Sequence, residues 1–522
     1  VRPHLERHGQ GRVDGQIDMF DQIPDITAQR ALLEPDAVAF RDLVRGTTLT
    51  FRGLDAHVQS IAGFLRAEGV DEGDRIAVLC RNRVEFFELL FAAAKLGAVL
   101  VPLNWRMPAG ELAPLVKDAA PKVLFFGEED SAVAQELGEG GTKLVGFDDA
   151  TGSGYEALRS NAEPFAGREF WRGNDTWYLI YTSGTTGKPK AVIQTPAMAL
   201  ANYVNIRQAM AISGDDVCLN YLPLFHTAGI NLVTLPTLIE GGENLVIPGF
   251  EVDEVVRLLA EGALDTFFAV PAVYQQISLH PDFPTLDLGK IRNWGCGGAP
   301  MPHHLIQSYL ERGARVCNGM GMTETGPTVF IMDPATVDRK IGSVGKPQVL
   351  ARVRLVGPDG EDVNQGEEGE LWFAGPGITP GYWGNPEATR DAFADDVWLK
   401  SGDIGRQDAD GYYYIAGRIK EMFISGGENV YPAEVENVLA AHPDILEAAV
   451  VAITDDKWGE VGRAYVLAQP GHEIPTAAEI TSYCRDRLAP YKVPKEFVGV
   501  EDFPRTAAGK IQKHLLAAGD AS

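Results

Sequence analysis

Ten consecutive residues, YTSGTTGKPK at 181–190, carry four Ser/Thr hydroxyls (Thr182, Ser183, Thr185, Thr186), two glycines (Gly184, Gly187) and two lysines (Lys188, Lys190). Glycines let backbone N–H groups turn toward an anion, and hydroxyls and ammonium groups add donors, which is what a polyphosphate needs. The segment is not a Walker A loop, GxxxxGK[ST], because Pro189 follows Lys188. That removes the usual P-loop NTPase reading and leaves a polar surface turn as the alternative. Other side chains with chemical potential are scattered downstream. Asp403, on a tight Ser401-Gly402-Asp403 turn, could accept both hydroxyls of a ribose. Glu324, in MTETG, offers hard oxygen to a cation or caps a helix. His226 follows Pro223-Leu224-Phe225, where a lone histidine is usually a satisfied core residue.

Elements alternating between helix and strand must position these groups. Leu54, Val58, Ile61, Ala62 and Leu65 mark one helical face that Gly69 closes. Residues 75–80 read as a buried strand, 84–96 as an apolar helix stopped by Gly97, and 98–101 and 122–126 as further strands. The pattern returns at 177–181, after Pro196, and at 265–270, which predicts parallel α/β layers. From about 344 to 398, short alternating strands with PDG and GEEG turns predict an antiparallel β subdomain. From about Arg418 a smaller unit begins, with a helix over 430–441 that has Pro432 in its first turn. Strands follow at 448–453 and 462–469, then a helix capped by Thr476 and Glu479 and running to about Leu488.

The chain has 522 residues, room for about three domain-sized pieces. With 45% hydrophobic and 23% charged residues it has the composition of a soluble globular protein. A net charge of −26 speaks against a nucleic-acid-binding basic face. No run approaches the ~18 apolar residues of a membrane helix, and the polar first twenty residues are not a signal peptide. Five widely spaced cysteines without a CxxC predict reduced thiols and a cytoplasmic location.

In order along the chain, YTSGTTGKPK, the PLFH at 223–226, GCGGAP at 295–300, GMTE at 321–324, SGD at 401–403, the run from Gly417-Arg418 to Pro432, and PRTAAGK at 504–510 resemble seven motifs of the acyl-adenylate-forming superfamily. That superfamily contains acyl-CoA synthetases, peptide-synthetase adenylation domains and firefly luciferase. The resemblance implies an α/β fold: a large N-terminal domain over 1–417, layered and including the β subdomain at about 344–417, and a small mobile α+β domain over 418–522 that turns about a hinge near Lys420. It implies that Thr182–Lys188 and Lys190 bind the ATP phosphates, that Gly297, Gly298, Ala299, Pro300, Met320, Gly321, Met322 and Thr323 border the adenylate, and that Asp403 and Arg418 hold the ribose. Glu324 and Thr185 would stand near Mg²⁺. Lys510 would bridge the attacking carboxylate and the α-phosphate. His226, Gly229, Val270, Gly295, Cys296 and Gly321 would line the acyl pocket, with His226 also gating the thiol, and Gly426 and Gly427 would approach the pantetheine arm of CoA. Two departures stand out. Met320 replaces the family's usual aromatic on the adenine face, and Pro196 stands where the family usually has His.

Three functions compete on this basis: an acyl- or aryl-CoA synthetase, an adenylating enzyme that loads a carrier protein, and an inactive adenylate-binding protein. Family members that activate amino acids carry an Asp at the start of the pocket, and the matching PLFHTAGIN has no acid. The phosphate loop, Asp403, Arg418 and Lys510 all being present argues against an inactive protein. The expected activity is ATP-dependent conversion of a hydrophobic or aromatic carboxylic acid to acyl-AMP and then, with CoA, to acyl-CoA. The expected small-molecule set is acid, ATP, Mg²⁺ and CoA. A homodimer is compatible with the sequence.

Overall fold

The segment VEFFELLFAAAKL is apolar nearly all round, so it cannot satisfy itself at a surface. It forms the helix Val84–Leu96, and every residue from Phe86 to Leu96 is buried. Gly97 ends it in the left-handed conformation (φ 75°), as the sequence predicts. Its two buried charged residues, Glu88 and Lys95, are compensated, since an unpaired buried charge is costly. Lys95 donates to Asp25 at 2.5 Å and Asp55 at 2.9 Å, and Tyr155 donates its hydroxyl to Glu88 at 2.7 Å. The helix shares one packed cluster with Ile76 and Val78 of the strand Arg75–Leu79 on one side and Phe40 of the strand Val38–Asp42 on the other. Phe40 and Phe87 stack at 4.9 Å. Helices are thus layered between two large sheets.

The computed structural model describes residues 21–149, 153–182, 189–299, 301–505 and 511–517. Expectations on Ser183, Gly184, Thr185, Thr186, Gly187, Lys188, Pro300 and Lys510 lie outside the described residues. The first large sheet runs Lys190–Gln194, Tyr178–Thr182, Val99–Pro102, Arg75–Leu79, Val123–Phe126, Lys143–Gly146. It is parallel except for Lys190–Gln194, which pairs antiparallel with Tyr178–Thr182. In the second, the strands Val316–Met320, Asn293–Cys296, Thr266–Ala269 and Val217–Asn220 lie side by side and parallel. A third, antiparallel sheet contains Arg352–Val356, Glu368–Ala374, Trp398–Gln407 and Tyr413–Arg418.

Beyond Arg418 the chain enters a separate sheet of Glu428–Val430, Phe423–Ser425, Gly459–Ala468, Ile445–Asp455 and Glu496–Val500. The helix predicted from 430 begins at Pro432, with Tyr431 as its cap. Val430 belongs instead to a hairpin strand, because it pairs with Phe423 as Asn429 and Glu428 pair with Ile424 and Ser425. The Thr476–Glu479 capping box is present, with Thr476 accepting from the Glu479 N–H. Its helix stops at Arg485, short of the predicted Leu488.

Candidate active site

Ligands of parallel α/β sheets gather beyond the carboxyl ends of the strands. Here four neighbouring parallel strands end in the segments singled out from sequence. Val217–Asn220 leads to His226 and Gly229, and Thr266–Ala269 leads to Val270. Asn293–Cys296 contains Gly295 and Cys296 and leads to Gly297–Ala299, and Val316–Met320 leads to Gly321–Glu324. Segments nearly 100 residues apart, from His226 to Glu324, are thereby brought to one sheet edge. The described flanks of the expected phosphate segment belong to the other sheet. Thr182 and Lys190 face each other across an antiparallel pair, so residues 183–189 connect two hairpin strands. Pro196 opens the following helix, with Thr195 as its N-cap accepting from the Met198 N–H. Two side chains fix these segments, the first across the two sheets and the second between two strand ends of the second sheet. Gln194 donates to the Thr323 carbonyl at 2.9 Å, and Asn231 donates to the Gly326 carbonyl at 2.5 Å.

Glu324 sits in the single-turn helix Thr323–Thr325 and is buried. It is not the cap of that turn; the Thr325 hydroxyl receives the Met322 N–H at 2.9 Å. The Glu324 carboxylate instead accepts the Tyr382 hydroxyl at 2.8 Å. Burial first, and then the neighbouring Glu324 charge, push the Tyr382 phenol well above its ordinary range, so it stays a donor. The Lys190 ammonium lies 5.0 Å from the Tyr382 ring centre. Sequence reasoning did not single out Tyr382. Its signal is an aromatic pair between two glycines, Gly381-Tyr382-Trp383-Gly384, before a capped helix start at Asn385-Pro386.

Among the described residues no cluster of three or more His, Cys, Asp or Glu could cage a metal ion. One buried carboxylate fits a Mg²⁺ that arrives on ATP, because Mg²⁺ takes one or two carboxylates and fills its shell with phosphate oxygens and water.

Asp403 and Arg418 are partners across the strands Trp398–Gln407 and Tyr413–Arg418. Arg418 Nε donates to Asp403 Oδ1 at 2.9 Å, and Asp403 is 6% exposed. The turn before Asp403 is held by Glu370, which accepts the Gly402 N–H at 2.9 Å and the Trp372 indole N–H at 2.8 Å. Glu370 was also not legible beforehand. Met320 and Met322 pack in the same cluster as Leu371, Phe373 and Leu399 of this sheet, which joins the strand-end group to the sheet carrying Asp403.

The small residues of the expected acyl pocket make room first for the protein itself. A Cβ at Gly295 would lie 2.3 Å from the Phe268 ring, and one at Gly297 would lie 3.1 Å from it. Phe268 pairs with Gly295 in register and lies along this glycine face. A Cβ at Gly321 would meet the Pro327 carbonyl at 1.9 Å, and one at Gly229 would meet two carbonyls at 2.4 Å. Cys296 is fully buried, and burial pushes its thiol far up, so it is chemically inert. Phe268, whose ring fills the space over these glycines, is a residue that sequence reasoning missed.

The expected CoA residues stand apart from this group. Gly426 (φ 62°) and Gly427 (φ 93°) form a two-residue hairpin turn between Ser425 and Glu428, a geometry that requires positive φ at both positions. Gly427 lines a polar cleft of about 350 Å³ with Glu368, Glu428, Asn429, Tyr431, Tyr491 and Lys492. Lys420 lies in the exposed turn between the third sheet and the last. The described residues on either side of 506–510 are held in place. Arg505 bridges to Glu447 at 3.1 Å and pairs with Ile511, while Lys513 bridges to Glu421 and Glu436, each at 2.8 Å.

The sequence and fold match known proteins along nearly the whole chain. Residues 27–383 match the model of the AMP-binding enzyme family, and residues 434–510 match that of the AMP-binding enzyme C-terminal domain. A feruloyl-CoA synthase of Amycolatopsis sp is 40% identical over 93% of this chain and 96% of its own. An indoleacetate–CoA ligase of Aromatoleum aromaticum is 38% identical over 93% and 95%. The o-succinylbenzoate CoA synthetase of Bacillus subtilis, solved with its acyl-adenylate intermediate, superposes with a TM-score of 0.85 at 31% identity, covering 95% of this chain and 98% of that one. ATP-bound MatB of Rhodopseudomonas palustris gives 0.87 at 29% identity, covering 95% and 99%. The chain belongs to the AMP-binding enzyme family and within it is an AMP-forming acyl-CoA ligase. It uses ATP to activate a carboxylic acid as acyl-AMP and transfers the acyl group to CoA.

Proposed function

We propose that the preferred acid is a hydrophobic or aromatic monocarboxylate. The observation that carries this reading is the absence of a charged side chain among His226, Gly229, Val270, Gly295 and Cys296, with Phe268 as an aromatic wall. Feruloyl- and indoleacetate-activating relatives support it. In this reading Asp403 takes the ribose hydroxyls, and the Arg418 guanidinium that donates to it keeps its carboxylate oriented. The hydroxyls and lysines of 182–190 neutralise the phosphates, and Met320 covers the purine. Gly297, Gly298, Ala299 and Pro300, with Gly321, Met322 and Thr323, shape the adenylate pocket. Glu324 and Thr185 would hold Mg²⁺, which when bound offsets negative charge on the phosphates. Lys510 contacts the attacking carboxylate and the α-phosphate and stabilises the charge that develops there. His226 borders the carboxylate and the path of the incoming thiol.

We further propose two domains, 1–417 and 418–522, that change orientation about Lys420 between the half-reactions, so that Gly426 and Gly427 meet the pantetheine arm in the second. Buried, unpaired cysteines support a reducing, cytoplasmic setting.

The test is pyrophosphate release with a panel of carboxylic acids, followed by thioester formation with CoA. Aryl and aliphatic monocarboxylates should lead, and preferred turnover of an α-amino acid or a dicarboxylate would overturn the acid class. Lys510→Ala should slow acyl-AMP formation by ~10²–10³-fold. Given synthetic acyl-AMP and CoA, the same variant should make thioester at nearly the wild-type rate. Equal loss in both steps by a folded protein would remove Lys510 from its assigned role.

A further inference from the structure

Residues 379–383 run beside the strand Lys190–Gln194 and bond to it repeatedly. Trp383 N–H donates to the Ala191 carbonyl at 2.8 Å, Ile193 N–H to the Gly381 carbonyl at 3.1 Å, and the Thr379 hydroxyl to the Ile193 carbonyl at 2.7 Å. The same segment holds the Glu324 turn, since Thr379 N–H donates to the Glu324 carbonyl at 2.8 Å. Tyr382 is central to this staple. Its backbone N–H donates to the Thr389 hydroxyl at 3.0 Å, its phenol donates to Glu324 Oε1 at 2.8 Å, and its ring lies 5.0 Å from Lys190 Nζ. One rigid aromatic side chain therefore touches both an acidic group expected near Mg²⁺ and a basic group expected on the ATP phosphates.

We propose that Tyr382 is a positioning residue for MgATP. Its hydroxyl orients the Glu324 carboxylate, and its ring holds the Lys190 ammonium at the base of the phosphate loop. This rests on the reading of Glu324 as a metal-side carboxylate and Lys190 as a phosphate-side cation. A donor fixed by the fold removes rotational freedom from the carboxylate before the nucleotide arrives, so less ordering is left to the binding step. A phenol can do this without competing for the metal, because it donates rather than accepts. The ring keeps the lysine extended without neutralising it, as a carboxylate partner would.

The experiment is calorimetric binding of a non-hydrolysable ATP analogue, with and without Mg²⁺, to the wild type, Tyr382→Phe, Glu324→Gln and the double variant. Tyr382→Phe should weaken the analogue about 10-fold with Mg²⁺, as expected for losing a hydrogen bond to a charged group, and much less without it. Glu324→Gln should lose the same Mg²⁺-dependent gain, and the double variant should lose no more than Glu324→Gln alone. Tyr382→Leu, which also removes the ring beneath Lys190, should weaken the analogue further even without Mg²⁺. Thioester formation from supplied acyl-AMP should stay at the wild-type rate in Tyr382→Phe. If Glu324→Gln loses the Mg²⁺ dependence and Tyr382→Phe keeps it, the positioning role is wrong and the reading of Glu324 stands. If Glu324→Gln keeps it, the reading of Glu324 itself fails. If Tyr382→Phe melts at a lower temperature and slows both half-reactions equally, the contact belongs to the fold and the proposal falls. Equal analogue binding by the Phe and Leu variants without Mg²⁺ would remove the Lys190 part.

Discussion

Met320 ends a buried strand and pairs with Phe330, its side chain partly buried against the cluster that holds Leu371 and Phe373. A flexible thioether can follow a purine face but stacks less well than a ring. Met320→Tyr is therefore expected to stay active and to lower the Michaelis constant for ATP, with a gain on the order of 1 kcal/mol. Steady-state kinetics with ATP and acid varied separately check this; a change confined to the acid would place Met320 in the acyl pocket. Glu324 shows how residue-scale reading reached its limit. Its sequence context allowed a metal-side carboxylate or a helix cap. The cap position is taken by the Thr325 hydroxyl, and the carboxylate turns to a tyrosine 58 positions away.

At the scale of elements, the turn after Tyr413–Arg418 is short. Glu421 and Met422 both donate N–H to the Arg418 carbonyl, at 3.1 and 3.0 Å. Any reorientation of the last sheet must be absorbed there by few backbone dihedrals. Lys420→Pro fixes φ at that position and restricts Ile419 before it. Acyl-AMP formation should survive this change while thioester formation from supplied acyl-AMP falls by ~10-fold or more, the order expected when a positioning motion is blocked. Measuring both half-reactions on a variant with wild-type circular dichroism decides it; intact thioester formation would move the hinge elsewhere. Lys513 adds a constraint on the same turn, because its bridge to Glu421 connects it to the helix that follows Lys510.

For the whole molecule, all five cysteines are buried. Burial raises each thiol, Cys218 and Cys317 to about 12 and Cys484 to about 11, and Cys80 and Cys296 higher still. The thiolate is the reactive form, so at neutral pH almost none is present. Iodoacetamide at pH 7.5 should leave the native enzyme active and unmodified by intact mass, and should modify all five thiols once the chain is unfolded. Rapid labelling of the native protein would show that one of these sites opens. Among the described residues no helix is long and apolar enough to cross a membrane.

Local signals were legible because their causes are local. The largely apolar run and Gly97 determined the helix Val84–Leu96, Thr476 and Glu479 determined a capping box, and seven ordered motifs determined the family and the chemistry. Helix ends drifted where neighbours intervened, as at Val430, which a hairpin partner claimed for a strand. What only the tertiary structure decided was adjacency. Four parallel strands had to be ordered side by side before His226, Val270, Gly295 and Met320 shared an edge. Phe268 had to register with Gly295 before the glycine face was seen to be filled. Tyr382 had to lie along Lys190–Gln194 before its hydroxyl could reach Glu324. Such contacts depend on packing between residues far apart in the chain, and packing of that kind leaves no period and no spacing in the sequence.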